Sequence, residues 1–289
     1  MSFTEHQRGC RVKRSVAVSK MRARKLGMAV AVGDRGVEQT FGRASAVLDV
    51  LAEARDSGLR FTDIVQATSF SKATVHRLLA GLTAHDFVEA GEEGRFFLGF
   101  RLAAWGGAAR DRHGIVERTV PVLRTLAERT GDTVYLSVQV GALSLCVARQ
   151  EGTFPIRALP LKPGDLNALG VGSGSLGLLA FLGSDEEIDR VLADPENIQA
   201  RQRRGVDEGT IRRHVAAARE SGYVLAGGLT PGMSGLSLPV LSRAGRPLAA
   251  VSIATTSDRL LQPRLAEVLG FLRVAVPDLG YTLGEVPYF

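Results

Sequence analysis

The feature that most constrains this chain is a series of short amphipathic segments between residues 41 and 98. The first has apolar residues at helical spacing and ends at Asp56–Gly58. A shorter segment has Thr62 as its expected N-cap, and a turn at Ser69–Phe70 leads to a third helix with Ser71 as its expected N-cap. The residues expected to face inward are Ala44, Val47, Leu48, Val50, Leu51, Ile64, Val65, Ala67, Val75, Leu78, Leu79 and Leu82. A short helix, a tight turn and a second helix with a polar outer face predict a helix-turn-helix.

Two strand patterns follow the third helix. Phe87–Ala90 and Arg95–Leu98 read as strands, and Gly91–Gly94 has the composition of a turn. A hairpin after a helix-turn-helix predicts a wing. Lys72 and Arg77 lie off the buried stripe of the third helix and can reach phosphates or guanine, while the neighbouring short side chains fit at base edges. The residues expected to contact DNA are Arg43, Ser71, Lys72, Thr74, His76, Arg77 and Arg95.

The basic balance of the chain is confined to its first residues. Residues 1–38 hold nine Lys or Arg and three Asp or Glu, which equals the net charge of +6 for all 289 residues, and residues 39–289 hold 27 of each sign. DNA binding by the rest of the chain must therefore depend on local arrangement. Residues 1–38 show no apolar periodicity, so we expect a disordered basic tail and no secretion signal.

Composition excludes several other classes. The two cysteines, Cys10 and Cys146, are far apart and lack metal-ligand spacing, so neither a disulfide framework nor a zinc site is expected. No apolar run approaches the roughly 20 residues that span a bilayer. We therefore expect a protein without a membrane segment that works in the cytoplasm.

The second half of the chain favours an α+β domain with an antiparallel sheet flanked by helices. Short connections between most strand patterns argue against parallel crossovers. A long amphipathic helix ends at Thr130–Gly131, and a glycine-rich stretch occupies Gly170–Gly177. The predicted strands are Thr133–Val140, Leu143–Arg149, Ile156–Leu161, Leu236–Leu241 and Leu248–Thr255, and the predicted later helices are Glu186–Ala193, Thr210–Ser221 and Pro263–Ala275.

Residues 43–99 resemble the DNA-binding half of the IclR family of transcription regulators. The resemblance is carried by Ser45–Leu51, by Ser71–Leu79 in the recognition helix and by Gly94–Gly99 in the wing. A looser match continues through Leu126–Val134, Pro231–Gly232 and Leu238–Val240, so that it covers about residues 40 to 280 in order.

The resemblance implies a two-domain regulator that binds double-stranded operator DNA. The expected parts are a winged helix-turn-helix at 39–99, a linker helix at 100–112 and a GAF-like effector-binding domain at 113–289. Dimers through the DNA-binding and linker region, and tetramers through effector domains, are further implications.

The resemblance also implies a small-molecule pocket in the second domain. The expected pocket residues are Leu169, Gly170, Val171, Ser173, Met233, Gly235, Ser252 and Ala254. The chain departs from the family pattern at Ala168–Leu176 and Ala226–Leu229, so ligand identity is not carried over. The latter stretch lacks the family's usual carboxylates, and a small carboxylic or aromatic acid is therefore the expected effector.

Two alternatives stay open at this point. The run Gly172–Gly177 matches GxGxxG, which would suit a nucleotide-binding protein or a small-molecule enzyme if a buried strand preceded it. The helix-turn-helix could also serve as a protein–protein adaptor. Because no spacing of His, Asp, Glu, Cys or Ser suits a nucleophile with its base or a metal, we expect no catalytic residue, metal or cofactor.

Overall fold

The computed structural model describes residues 35–156, 159–227 and 230–284. The chain divides between Gly106 and Gly107 into two compact units. Most of the predicted tail and Cys10 lie outside the described residues. No helix within the described ranges is long and apolar enough to cross a membrane.

The N-terminal unit is a helix-turn-helix with a hairpin. Its elements are α1 (Arg35–Ala54), β1 (Leu59–Arg60), α2 (Phe61–Thr68), α3 (Lys72–Ala84), β2 (Val88–Ala90), β3 (Arg95–Leu98) and the first part of α4 (Phe100–His113). The strands form an antiparallel sheet in the order β1-β3-β2. The predicted winged helix-turn-helix is therefore confirmed. Helix α1 begins inside the predicted tail, so the boundary of the tail at residue 38 was wrong. The first turns of α1 carry no apolar stripe, and hydrophobic periodicity therefore gave no sign of a helix there.

The core of this unit is formed by the predicted apolar stripes. Val47, Leu51, Ile64, Val75 and Leu79 are at most 4% exposed. Leu82 and Val88 complete the buried cluster. Ala67 is exposed instead of buried.

Of the two predicted N-caps, one is confirmed and one is wrong. The Ser71 hydroxyl accepts from the Thr74 amide at 3.2 Å, which fixes the start of α3. Thr62 is not the N-cap of α2, because the helix already begins at Phe61 and the Asp63 carboxylate accepts from the Arg60 amide at 3.0 Å. Ser69 takes a left-handed conformation with φ 56°, which produces the turn between the two helices.

The C-terminal unit contains one six-stranded antiparallel sheet. Its elements are α5 (Ile115–Thr130), β4 (Thr133–Val140), β5 (Leu143–Gln150), β6 (Leu166–Ala168), α6 (Ser173–Leu179), α7 (Asp185–Leu192), α8 (Pro195–Arg203), α9 (Glu208–Ser221), β7 (Val224–Gly227), β8 (Met233–Leu241), β9 (Pro247–Thr256) and α10 (Arg264–Gly284). The strand order is β6-β5-β4-β9-β8-β7. This confirms the predicted α+β class with an antiparallel sheet.

Strand alternation divides this unit into two apolar layers. Val251 and Ile253 of β9 belong to a cluster with α5 and α10. Ala250, on the opposite face, belongs to a cluster built mainly from α6, α7 and α9. The period of two in β9 thus assigns Ser252 and Ala254 to the α6 side of the sheet.

The predicted strand at Ile156–Leu161 is wrong. Its described residues form no strand, and the third strand of the sheet is instead Leu166–Ala168. Pro155, Pro160 and Pro163 lack the amide hydrogen that a ladder needs, which explains the failure. Helix α8 and strand β7 were not predicted, and α10 extends to Gly284 through Pro277.

A buried carboxylate joins the beginning of β4 to the end of β9 and to α10. The side chain of Asp132 is fully buried. It accepts from Thr255 Oγ1 at 2.7 Å, Arg259 Nε at 2.9 Å and Arg264 Nη2 at 2.7 Å. The charge is therefore compensated by two arginines and a hydroxyl.

Replacing Asp132→Ala should lower the free energy of unfolding by about 3–5 kcal/mol, since two cations lose their buried partner. Denaturant unfolding of the full chain measures this change. Asp189→Ala is the control, because Asp189 pairs with Arg212 at 2.8 Å but is 58% exposed and should cost under about 1 kcal/mol. Equal costs for the two variants would contradict the structural role of Asp132.

Candidate DNA-binding surface and ligand cavity

Helix α3 has a polar face that does not pack against the core of the unit. Val75, Leu79 and Leu82 are its buried residues. Ser71, Lys72, His76 and Arg77 are exposed, and Thr74 is half-buried. Four residues predicted to contact DNA therefore lie together on the outer surface of α3 or at its cap.

Thr74 is partly engaged at the helix start. Its hydroxyl is 2.9 Å from the Ser71 hydroxyl, and its amide donates to the same oxygen. Beside this cap, the Arg43 guanidinium of α1 lies 6.0 Å from the ring centroid of Phe70. Arg43 is thus near the turn that begins α3, as a DNA-contacting role requires.

Arg95 differs from the other predicted DNA contacts. Its Nη1 donates to the Ser57 carbonyl at 3.0 Å and to the Gly58 carbonyl at 3.3 Å. The guanidinium therefore attaches β3 to the turn after α1. In this arrangement Arg95 positions the wing and does not present a free cation.

The C-terminal unit contains a cavity of about 290 Å³ on the α6 side of the sheet. Six of the eight predicted pocket residues line it, namely Val171, Ser173, Met233, Gly235, Ser252 and Ala254. The register places Gly235 opposite Ala254, and Tyr135 opposite Ser252. The strands and the glycine-rich segment therefore meet as predicted.

Leu169 and Gly170 do not line the cavity. Leu169 is fully buried in the core cluster around α6 and α9, and its carbonyl accepts from Asn197 Nδ2 at 2.9 Å. A Cβ at Gly170 would lie 2.9 Å from both Ile211 and Leu179, and its φ is +102°. A side chain at Gly170 would disrupt this core instead of filling the cavity.

The glycines after Gly170 pack helix α6 against the sheet. A Cβ at Gly174 would approach the Ser252 hydroxyl to 3.0 Å, and one at Gly177 would approach the Ser237 hydroxyl to 2.6 Å. Strand β6, which precedes this segment, pairs antiparallel with β5. The described residues thus lack the βαβ unit that a dinucleotide-binding reading of GxGxxG requires.

Sequence reasoning missed the polar residues of β4, β5 and β6 in the cavity. Ser137, Ser144 and Asn167 line it together with Ser252 of β9, which was predicted, and all four are 3–5% exposed. None of these four side chains forms a hydrogen bond with a described residue. Strand alternation could have indicated Ser137 and Ser144, but the three-residue β6 gave no signal for Asn167.

Ser175 has a different role from these four. Its hydroxyl donates to the Ala168 carbonyl and accepts from the Gly170 amide, both at 2.8 Å. The Ser175 side chain therefore joins β6 to the start of α6. The hydroxyls that are available to a ligand can thus be distinguished from the structural ones by whether they hydrogen-bond to the protein.

Burial raises the pKa of two titratable groups at or beside the cavity. Burial raises the pKa of Tyr135 above its usual range. Burial likewise raises the pKa of the Cys146 thiol, on neighbouring β5, to about 11. Among the described lining residues there is no Asp, Glu, His, Lys or Arg.

Comparison with known proteins agrees with the two-unit architecture. The family model for the IclR helix-turn-helix domain matches residues 41–91, and the model for the C-terminal domain of bacterial IclR transcriptional regulators matches residues 107–281. The regulator BhcR of Paracoccus denitrificans is 30% identical over 271 residues, covering 92% of this chain and 95% of its own. The regulator XynR of Escherichia coli is 27% identical and covers 85% of this chain and 97% of its own.

Solved structures show the same fold. An IclR regulator from Silicibacter sp. TM1040 has a TM-score of 0.70 at 23% identity, covering 85% of this chain and 96% of that one. An IclR homologue from Microbacterium hydrocarbonoxydans, solved with 4-hydroxybenzoate, has a TM-score of 0.62 at 22% identity and covers 84% of this chain and 98% of that one.

A winged helix-turn-helix unit joined to an α+β unit with a small-molecule-sized cavity defines the class of ligand-responsive DNA-binding proteins. The matches over both units identify the family. This chain belongs to the IclR family of transcriptional regulators.

Replacing Ser144→Ala should leave the melting temperature of the ligand-free protein unchanged or raise it, since a buried hydroxyl without a protein partner contributes no stability. Replacing Ser175→Ala should lower stability by about 1–3 kcal/mol, because two buried backbone groups lose their partner. Thermal unfolding of the two variants measures both effects. If the Ser144 variant is destabilised as much as the Ser175 variant, its hydroxyl is structural.

Proposed function

We propose that this protein binds operator DNA through α3 and Arg43, and that a small molecule in the C-terminal cavity changes its affinity for DNA. DNA binding is inferred from the group of exposed polar side chains on α3. The apolar stripe on the opposite side of this helix is buried in the core of the unit. A helix of this kind fits the major groove, which is about 12 Å wide.

Within this surface, the roles differ by chemistry. Lys72 and Arg77 supply the charge that meets phosphates or guanine, and Ser71, Thr74 and His76 supply short hydrogen-bonding groups for phosphates or base edges. Arg43 contributes from α1, beside the turn. Arg95 positions the wing instead of contacting DNA.

The effector is proposed to be a small organic molecule, with carboxylic and aromatic acids as the leading class. Its size is limited by the cavity volume of about 290 Å³. Ser137, Ser144, Asn167 and Ser252 are the expected hydrogen-bonding partners, because these buried groups lack partners among the described residues. The Microbacterium homologue with 4-hydroxybenzoate supports the aromatic-acid class.

The cavity favours binding over catalysis. Its described lining holds no acid, histidine or cysteine that could serve as a general base or form a nucleophile pair. Burial raises the pKa of Tyr135 further above neutral pH. A regulatory ligand site needs only a difference in affinity between two arrangements of the protein.

Self-association completes the proposal. Residues 39–99 hold six Lys or Arg and eight Asp or Glu, so a single DNA-binding unit has little electrostatic attraction for DNA. Two copies on one duplex would double the number of contacts, which supports a dimer or tetramer as the binding form. The proposed site of action is the cytoplasm, where chromosomal DNA is accessible.

Replacing Lys72→Ala or Arg77→Ala should weaken DNA binding without lowering thermal stability, since both side chains are exposed and outside the core. A lost phosphate contact lowers the salt slope of binding by about one unit, and a lost guanine contact costs about 1–3 kcal/mol at one base pair. Fluorescence anisotropy with a duplex selected from a random library by the wild-type chain measures both. Arg190→Ala, at an exposed residue of α7, is the control.

If both α3 variants retain wild-type affinity, α3 is not the recognition helix. If the wild-type chain selects no DNA at all, the adaptor interpretation of the helix-turn-helix is favoured.

A further inference from the structure

The wing of this protein has an acidic tip. The turn between β2 and β3 is a short 3-10 segment, Glu92–Gly94, and all of its residues are exposed. The one cation of the hairpin, Arg95, is directed to the carbonyls of Ser57 and Gly58. A hairpin that contacted phosphates would be expected to carry the opposite charge.

One of the two tip carboxylates pairs with a cation of the helix-turn-helix itself. Glu93 Oε2 lies 3.5 Å from Arg60 Nη2, and the side chains are 71% and 55% exposed. Arg60 is the N-cap residue of α2. In a helix-turn-helix this first helix crosses the DNA backbone, so a cation at its start is well placed for phosphate.

The backbone of the tip is left-handed at Glu93. Glu93 has φ 55° and ψ 22°, a left-handed conformation that favours Gly or Asn. Its side chain is also 4.0 Å from Arg95 Nε. The tip thus holds a carboxylate between two arginines of the DNA-binding unit.

The α2 N-terminus is already supplied with negative charge by another residue. The Asp63 carboxylate accepts from the Arg60 amide at 3.0 Å. The structure of α2 therefore does not require Glu93, and the Arg60–Glu93 pair is of the exposed kind that adds at most about 1 kcal/mol to stability. The Arg60–Glu93 pair can therefore affect DNA binding without being needed for the fold.

From these contacts we propose that the wing opposes DNA binding: Glu93 withholds Arg60 from phosphate, and Glu92 adds repulsion at the tip. This inference rests on the proposed DNA-binding function. The consequence is a DNA-binding unit of low intrinsic affinity, whose occupancy of DNA depends on a second copy and therefore on the arrangement that the effector favours.

The test is a double-mutant cycle on Glu93 and Arg60 with the full chain. Glu93→Gln should raise the affinity for a random-sequence duplex by about 3- to 5-fold at low salt and steepen the salt slope by about one unit, since one more phosphate contact forms. In the presence of Arg60→Ala, Glu93→Gln should give no such gain. Glu220→Gln, at an exposed residue of α9, is the control for the same change in net charge.

Equal thermal stability of the variants keeps the comparison valid. If Glu93→Gln perturbs the wing, Glu92→Lys provides a second route and should also raise affinity, with Glu220→Lys as its matched control. No gain beyond the controls, a loss of affinity, or a gain that persists without Arg60 would each overturn the inference. Absence of DNA binding by the wild-type chain would instead refute the proposed function on which the inference depends.

Discussion

The close packing of α6 on the sheet is the constraint on which the C-terminal unit depends. Gly174 and Gly177 bring the helix close enough that Ser252 and Ser237 lie directly beneath it. A Cβ at Gly235 would overlap the Ser173 hydroxyl, so the sheet must also lack a side chain there. The cavity lies at the N-terminal end of α6, and residues of β4, β5, β6, β8 and β9 line it. The same glycines that resemble a nucleotide-binding motif therefore serve helix-on-sheet packing.

In the DNA-binding unit, charged side chains fix the start of α4. The Glu89 carboxylate of β2 accepts from the Phe100 amide at 3.0 Å. Arg101 donates to the His85 carbonyl at 3.2 Å and lies 5.7 Å from the Phe87 ring centroid. Trp105 packs edge-on against Phe87 with centroids 4.8 Å apart. The first turns of α4 are thus held to the wing and to the end of α3.

Much of this architecture could be predicted from sequence, for a physical reason. Core stripes repeat over several turns, so Val75, Leu79 and Leu82 identified α3, and alternation identified β4, β5 and β9. Residues whose role depends on distant partners could not be predicted. Gly170 belongs to the glycine-rich segment that lines the cavity, but it packs against Ile211. Asn167 lies on a three-residue strand, which is too short to show an alternating hydrophobic pattern. Arg95 looked like a free cation, but it is directed to carbonyls 37 and 38 positions earlier. The segment at Ile156–Leu161 has strand-like side chains, yet its prolines prevent pairing.

Occupancy of the cavity is proposed to control DNA binding, and DNA affinity measured as a function of small acids tests this coupling. Anisotropy of a selected duplex would be recorded with 4-hydroxybenzoate, benzoate and lactate, for the wild-type chain and for Ala254→Leu, which narrows the cavity. At least one acid is expected to change wild-type affinity by about 5- to 150-fold, the range for coupling energies of roughly 1–3 kcal/mol, and Ala254→Leu is expected to bind the duplex but lose the response. An equal response in Ala254→Leu, or no response to any acid by a wild-type chain that binds the duplex, would contradict it.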